Sequence, residues 1–322
     1  MTRRRQKKAD GKLPPSYSLP ARKRKGGRRG RGSEEGMALV LTLMVLVLIT
    51  AMVVEFAYGV YTATSALHNW KEAQQLSFVA KSGVSLAAKT ISDIPQADRY
   101  RFPGRMDIPV ENILEGFGGT TVVTVEDENG KFNLNSLRIP DSIKTFRRLL
   151  AHLGLDEGLA DRIADWIDPD SEPRLRDAEE GAKNAYMDSV DELLLIKGVD
   201  AQTYEVLAPY VTVYGYLGTE DTRVNINTAS VPVIMSLSER ISRERAEEVV
   251  NQRKIAAFEK LSELSRAGFD NTMITAITGK ASADPPMTFH ITAVSEEKKI
   301  KRVIETVVKM DGPGQVVYWR ER

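Results

Sequence analysis

The sequence predicts an α+β protein in three parts: a long N-terminal helix that enters a membrane, an antiparallel sheet, and a large, mainly helical insertion within that sheet. Three observations predict it. Residues 37–54 form an unbroken apolar run, alternating Val/Thr patterns lie on both sides of the middle of the chain, and the stretch between them carries helical spacing with helix-boundary residues.

The 322-residue chain has a formal net charge of +1, which hides a strong asymmetry. Residues 1–36 hold 13 Lys/Arg against three acids, Asp10, Glu34 and Glu35, whereas residues 37–322 hold 32 against 41. A basic head on an acidic body is not the charge distribution of a nucleic-acid-binding domain. The absence of cysteine excludes disulfides, thiolate nucleophiles and Cys-ligated zinc. The three histidines, His68, His152 and His290, do not cluster at metal-ligand spacing and read as surface or core residues.

The head, with MTRRRQKK and ARKRKGGRRGRG, has almost nothing to bury and reads as a cationic arm. Met37 to Val54 follows with 18 uncharged residues, polar only at Thr42 and Thr50. That length is close to the minimum for crossing the hydrocarbon, and residues 56–60 extend it past Glu55. A buried core helix is the alternative. Dense Arg/Lys on the N-terminal side alone favours a membrane span with residues 1–36 in the cytoplasm and the remainder outside. A helix-breaking proline first follows at Pro95, so the helix is expected from Met37 to about Ile91, spanning over about 37–58. Phe56, Val60, Ala63, Leu67 and Trp70, continued by Leu76, Ala80, Val84 and Ala87, give its outer stretch a single apolar face for a domain.

Beyond the helix, residues 118–135 read as a strand or hairpin with an Asn129-Gly130 turn, and residues 287–322 as three further strands. The helical stretch between them repeats itself. Asn133-Leu-Asn135-Ser136 matches Asn225-Ile-Asn227-Thr228, and Asp191-Glu-Leu to Asp200 matches Ser262-Glu-Leu to Asp270, giving repeats over about 133–210 and 225–280. Asn, Ser and Asp suit helix starts there, and Gly198 and Gly268 suit helix ends.

Charged residues followed by Glu35-Gly36-Met37-Ala-Leu-Val-Leu41 resemble the leader and cleavage site of type IV pilin-like precursors. The resemblance implies cleavage between Gly36 and Met37 by a prepilin peptidase, removal of residues 1–36 and methylation of Met37. Most such proteins carry glutamate at the fifth mature position, where this chain has Leu41. That feature, with Phe132-Asn-Leu-Asn135, Asp165-Trp-Ile-Asp168-Pro-Asp170-Ser-Glu-Pro173-Arg174, Ser189 to Val199, Pro209 to Gly215 and Val224 to Ala229 in this order, resembles the K-type (GspK) minor pseudopilins of type II secretion.

That resemblance implies a pilin-like sheet from residues 92–135 and 285–322, carrying an inserted α-helical domain at 136–284 built from two helix-hairpin-helix or SAM-like repeats. It also implies a single-pass protein of the inner membrane with its C-terminal domain in the periplasm, at the tip of the fibre. The implied partners are I-, J- and H-type minor pseudopilins, the major pseudopilin and the inner-membrane assembly platform. A minor pilin of a type IV pilus is one alternative. A competence-type, membrane-anchored DNA-binding module is the other, because residues 224–264 resemble helix-hairpin-helix domains. Between Thr228 and Phe258, however, there is no glycine to bring backbone N–H groups up to phosphate, and Glu239, Glu244, Glu247 and Glu248 surround the hairpin, so nucleic acid is not an expected partner.

For chemistry, the densest polar group is Asp165, Asp168, Asp170, Glu172 and Asp177, carboxylates kinked by Pro169 and Pro173 that suit an oxygen-loving cation. The K-type resemblance implies calcium here, although the loop that is longer in that family is compressed to residues 174–188. A second acidic turn, Glu126 to Gly130, reads as a solvated hairpin. Without a nucleophile motif, phosphate loop or dinucleotide fingerprint, the sequence predicts no enzyme.

Overall fold

The computed structural model describes residues 31–110, 118–170, 172–175, 181–311 and 314–322. The leader up to residue 30 therefore lies outside the described residues. The chain divides into two units, residues 1–66 and Leu67–Arg322. Helix α1 runs over Arg31–Asp93, starting six residues before the expected Met37 and stopping just ahead of Pro95. In the first unit its apolar side chains are exposed all round, from Met37 at 65% to Tyr61 at 70%. An uncharged stretch of this length with nothing covering it is a candidate membrane span.

In the second unit the sheet is antiparallel throughout, in the order β1-β2-β7-β8-β9. Its strands are β1 (Arg105–Val110), β2 (Thr120–Asp127), β7 (Thr288–Glu297), β8 (Ile300–Lys309) and β9 (Gln315–Glu321). Period-two alternation puts Val123, Val125, Phe289, Ile291, Ala293 and Ile304 on one face, where they pack with Ala80, Val84, Ala87 and Ile91 of α1. The expected apolar stripe thus packs on the sheet at Ala80, Val84 and Ala87, Leu76 is buried too, and Ile91 extends the packed face. Leu67 and Trp70, its earlier members, are 65% and 62% exposed.

β2 and β7 are neighbours although far apart in sequence, with Asp127 opposite Phe289. Everything between them leaves and re-enters at one end of the sheet. Of the strand or hairpin expected over residues 118–135, the strand forms as β2 and no hairpin follows it. A short 3-10 turn at Glu128–Gly130 leads instead into β3 (Phe132–Asn133), which pairs in parallel with β4 (Val211–Thr212). A second parallel pair joins β5 (Val224–Asn225) to β6 (Ala281–Ser282).

Around these pairs lie α2 (Pro140–Leu153), α3 (Leu159–Ile167), α4 (Ala201–Leu207), α5 (Val231–Ser236), α6 (Arg243–Ile255) and α7 (Asn271–Ile277). Their starts are set by local chemistry. Asp200, Ser242 and Asp270 accept hydrogen bonds from the third residue onward, satisfying backbone donors that no helical carbonyl reaches. Gly268 takes the left-handed φ of +75° that closes the Leu261–Ala267 turn. The insertion has its own core, from Phe132 to Ala283, including Phe132 stacked on Phe146 at 5.0 Å.

The two Asn-x-Asn segments do matching work. Asn133 and Asn225 each accept the backbone N–H two residues on, at 3.1 and 3.0 Å. Asn135 then clasps both the N–H and the C=O of Met187, and Asn227 clasps those of Phe258. Each buried amide replaces the water that a crossing backbone segment would otherwise need.

Candidate functional site

Three places bear on the sequence-based expectations. At the first, Gly36 lies within α1 with nothing within 4 Å of where a Cβ would stand, and Met37 is 65% exposed. Leu41 continues the apolar surface, so this stretch of the helix carries no carboxylate until Glu55.

At the second, α3 carries Asp165 on its buried face and ends at Asp168. Neither is a solvated carboxylate. The Arg174 guanidinium reaches both, with Nη1 at 2.5 Å from Asp165 Oδ1 and also on Asp168 Oδ2. The Arg174 backbone N–H donates to Asp165 Oδ2 at 2.9 Å. The flanking acids hold its proton more tightly, and its pKa is raised although burial opposes that. Asp170 only closes a turn, accepting the Glu172 N–H at 2.9 Å, and Asp177 lies outside the described residues. Among the described residues, no group of three His, Cys, Asp or Glu side chains is placed to hold a metal. One buried oxygen here, Asp168 Oδ1, has no hydrogen-bond partner.

The third place corrects an expectation. The acidic turn after β2 is not solvated: Asp127 and Glu128 are 4% and 3% exposed, because this is where the insertion joins the sheet. Asp127 Oδ2 accepts from Asn225 Nδ2 at 2.8 Å and from Thr228 Oγ1 at 2.6 Å, and its Oδ1 accepts from Asn129 N. Burial pushes Asp127 up to about 6 against those three donors. Its neighbour goes the other way. Burial opposes the charge of Glu128 too, but Lys131 at 2.5 Å and His290 at 3.5 Å hold it down to about 2.

Asn129 Oδ1 takes the N–H groups of Met287 and Thr288, locking the returning strand. A Cβ on Gly130 would stand 2.5 Å from Thr228 Oγ1 and 3.0 Å from Thr228 C, so any side chain there forces Thr228 to shift. Two adjacent carboxylates with opposite shifts could form an acid–base pair. Here their oxygens are engaged with groups that hold the fold, so the arrangement is a clamp. Sequence reasoning missed it because Asn225, Thr228 and His290 stand about a hundred or more positions away. The local signals were three consecutive acids followed by Asn129-Gly130 and Lys131.

Comparison with known proteins agrees with this architecture. The family described as "Type II secretion system (T2SS), protein K" matches in two successive parts, residues 130–216 and 224–279. The type II secretion system protein K of Pseudomonas aeruginosa is 31% identical over 270 residues, covering 73% of this chain and 77% of that protein. Its counterpart in Pectobacterium carotovorum is 25% identical over 279 residues, covering 74% and 81%. The fold is similar to that in the crystal structure of the GspK-GspI-GspJ complex from the enterotoxigenic Escherichia coli type 2 secretion system. That match has a TM-score of 0.64 at 20% identity and covers 79% of this chain and 98% of that one. Neither the pilus nor the DNA-binding alternative finds support in these likenesses. With an anchor-like helix, a sheet that carries a separate helical core, and a relative nearly a third identical across most of both chains, this chain belongs to the protein K family of type II secretion systems.

Proposed function

We propose that this chain is a minor pseudopilin at the tip of a secretion fibre, where it initiates or caps assembly in support of protein export across the outer membrane. The observation that carries this reading is the insertion between neighbouring strands β2 and β7, which has a hydrophobic core of its own. A lateral domain of that size obstructs close helical stacking inside a filament and is unhindered at its end. Leu41 suits the same position. A first subunit has no earlier N-terminus to neutralise, and an unpaired carboxylate in lipid costs several kcal/mol, about 2.5–3.5 on insertion scales.

On this reading the leader to Gly36 is removed and Met37 becomes the N-terminus. The apolar helix holds the chain in the inner membrane, and the second unit (sheet plus the insertion at about 136–284) faces the periplasm. The related complex contains GspI and GspJ, which makes I- and J-type subunits the first partners to test, followed by H-type and major pseudopilins and the assembly platform. Detergent-extracted full-length protein is expected to co-purify with I- and J-type subunits. Recovery with pilus components instead would overturn the reading.

Calcium at the acidic turn is a narrower proposal. Asp165, Asp168 and Asp170 supply oxygen donors of the right kind, and the unpartnered Asp168 Oδ1 supports a cation there. Arg174 already supplies positive charge, so calcium would compete with that guanidinium. A thermal midpoint that rises with calcium and falls with chelator supports the ion, and an unchanged midpoint removes it.

A further inference from the structure

Phe289 and Ile291 turn toward α1, so His290 between them lies on the opposite face of the sheet. There it forms one cross-strand row with Val307 of β8 and Tyr318 of β9. This row is one wall of a cavity of about 300 Å³, and the insertion supplies the other wall through Asp191, Tyr204, Ala208 and Tyr214. Both walls belong to the second unit. The volume admits one aromatic ring and lies at the small end of the range for ligand pockets. Asp191 and Arg320, on the two walls, are partly exposed, so the cavity is not sealed from solvent.

The charged groups of these walls are already matched to one another. Glu128 has Lys131 at 2.5 Å, Asp191 has Arg320 at 2.5 Å, and Glu305 has Arg322 at 2.6 Å. Two wall phenols are engaged as well: Tyr204 O–H donates to Asp191 Oδ1 at 2.6 Å, and Tyr214 O–H to the Asp188 carbonyl at 3.2 Å. His290 is the exception. Its Nδ1 faces Glu128 Oε1 at 3.5 Å, while its Nε2 is buried. Among the described residues of these walls, that nitrogen is the one buried side-chain polar atom without a hydrogen-bond partner. With a carboxylate on the Nδ1 side, the neutral ring keeps its proton there, and Nε2 is left as an acceptor.

We propose that this cavity binds one neutral ring that bears a hydroxyl, a phenol, whose O–H donates to His290 Nε2 while its carbons lie against Val307, Tyr318 and Ala208. The chemistry of the walls selects that class. Three acids balanced by three paired cations leave no net charge to attract an ion. A pure hydrocarbon would bury the Nε2 acceptor unpaired, which a hydroxyl donor avoids. The rings of Tyr204, Tyr214 and Tyr318 favour an aromatic guest by edge or offset stacking. A ring held there touches sheet and insertion together, so its binding energy adds to the junction made at Asp127–Gly130. The phenol can be a small free molecule or the tyrosine side chain of a partner chain, and His290 meets the same O–H in both.

The chain has only the histidines His68, His152 and His290, so selective labelling of histidine nitrogens in the full-length, detergent-extracted protein gives a small set of imidazole NMR signals. His290→Phe identifies one of them by its loss. Phenol, at free concentrations set by dialysis, is expected to shift the His290 Nε2 signal saturably and to leave His68 and His152 in place. Toluene has nearly the same shape without the hydroxyl and should bind at least about tenfold more weakly, because it leaves a buried acceptor unpaired. Acetate should not bind. These comparisons need only the parent protein. Ala208→Trp fills the cavity from the insertion side without touching the His290–Glu128 pair, and it should weaken phenol at least about tenfold. N-acetyltyrosinamide binding as well as phenol supports a tyrosine from a partner chain, and phenol binding alone supports a free small molecule. Equal affinity for toluene and phenol, binding of acetate, an unmoved His290 signal, or indifference to Ala208→Trp would overturn the proposal.

Discussion

Two carboxylate-rich turns in this molecule face the same problem and resolve it differently. At Asp165–Arg174 two buried carboxylates share one guanidinium from nine and six residues away, so the neutralising charge is local. At Glu126–Lys131 one cation, Lys131, is local as well, but the groups that hold Asp127 come from afar, Asn225 and Thr228 from the second half of the insertion, and His290 reaches Glu128 from β7. The first turn stabilises a loop. The second joins two cores, since the insertion and the sheet each bury their own apolar cluster and meet at Asp127–Gly130. A buried ion pair is poor evidence for stability but a sensitive place to break, because removing one partner strands the other in low dielectric.

That comparison can be broken from either side. Arg174→Ala should have the largest effect, about 3–5 kcal/mol measured by denaturant unfolding, because it leaves Asp165 and Asp168 buried without their cation. A loss below about 1 kcal/mol would mean that water or another cation replaces it. Gly130→Ala should cost about 1–3 kcal/mol, since its Cβ must push Thr228 off Asp127. Limited proteolysis should then cut between sheet and insertion sooner than in the parent.

The pH dependence sharpens the contrast within the second turn. Asp127, raised to about 6 by burial, binds more protons folded than unfolded, so its contribution favours folding at low pH and is lost as pH rises through about 6. Glu128, lowered to about 2, contributes stability above its ordinary range that is lost as pH falls toward about 2. Asp127→Asn should therefore flatten the decline in stability between about pH 4 and 6, by at most about 3 kcal/mol, and leave the acid limb below pH 4 in place. The smallest effect should come from Arg243→Ala, which breaks an exposed i,i+4 pair with Glu247 and should cost only about 0.3–0.5 kcal/mol. A larger loss there would show that surface pairs matter more in this protein than the two buried turns imply.

How much of this was legible depends on the range of each signal. The apolar run from Met37, the alternation in β2 and β7, and the caps at Asp200 and Asp270 are determined within a few residues, and sequence reasoning reaches them. The matching asparagines were also visible, because each first makes a hydrogen bond to its own neighbourhood. β1 was missed, since Arg105-Met-Asp-Ile-Pro-Val carries charges and a proline where a strand signal was sought. The burial of Asp127 and Glu128 was misread for a deeper reason. A run of acids before Asn-Gly has the composition of a solvated turn, and only long-range partners make it a junction. In the same way, the acids at 165–172 show their density in sequence but not that Arg174 already stands between two of them.

The central claim is a processed, helix-anchored subunit of a secretion fibre. Mass spectrometry of the N-terminus of the membrane-extracted protein tests it most directly. The account predicts a chain beginning at methylated Met37, and a membrane-bound protein retaining residues 1–36 intact would contradict it.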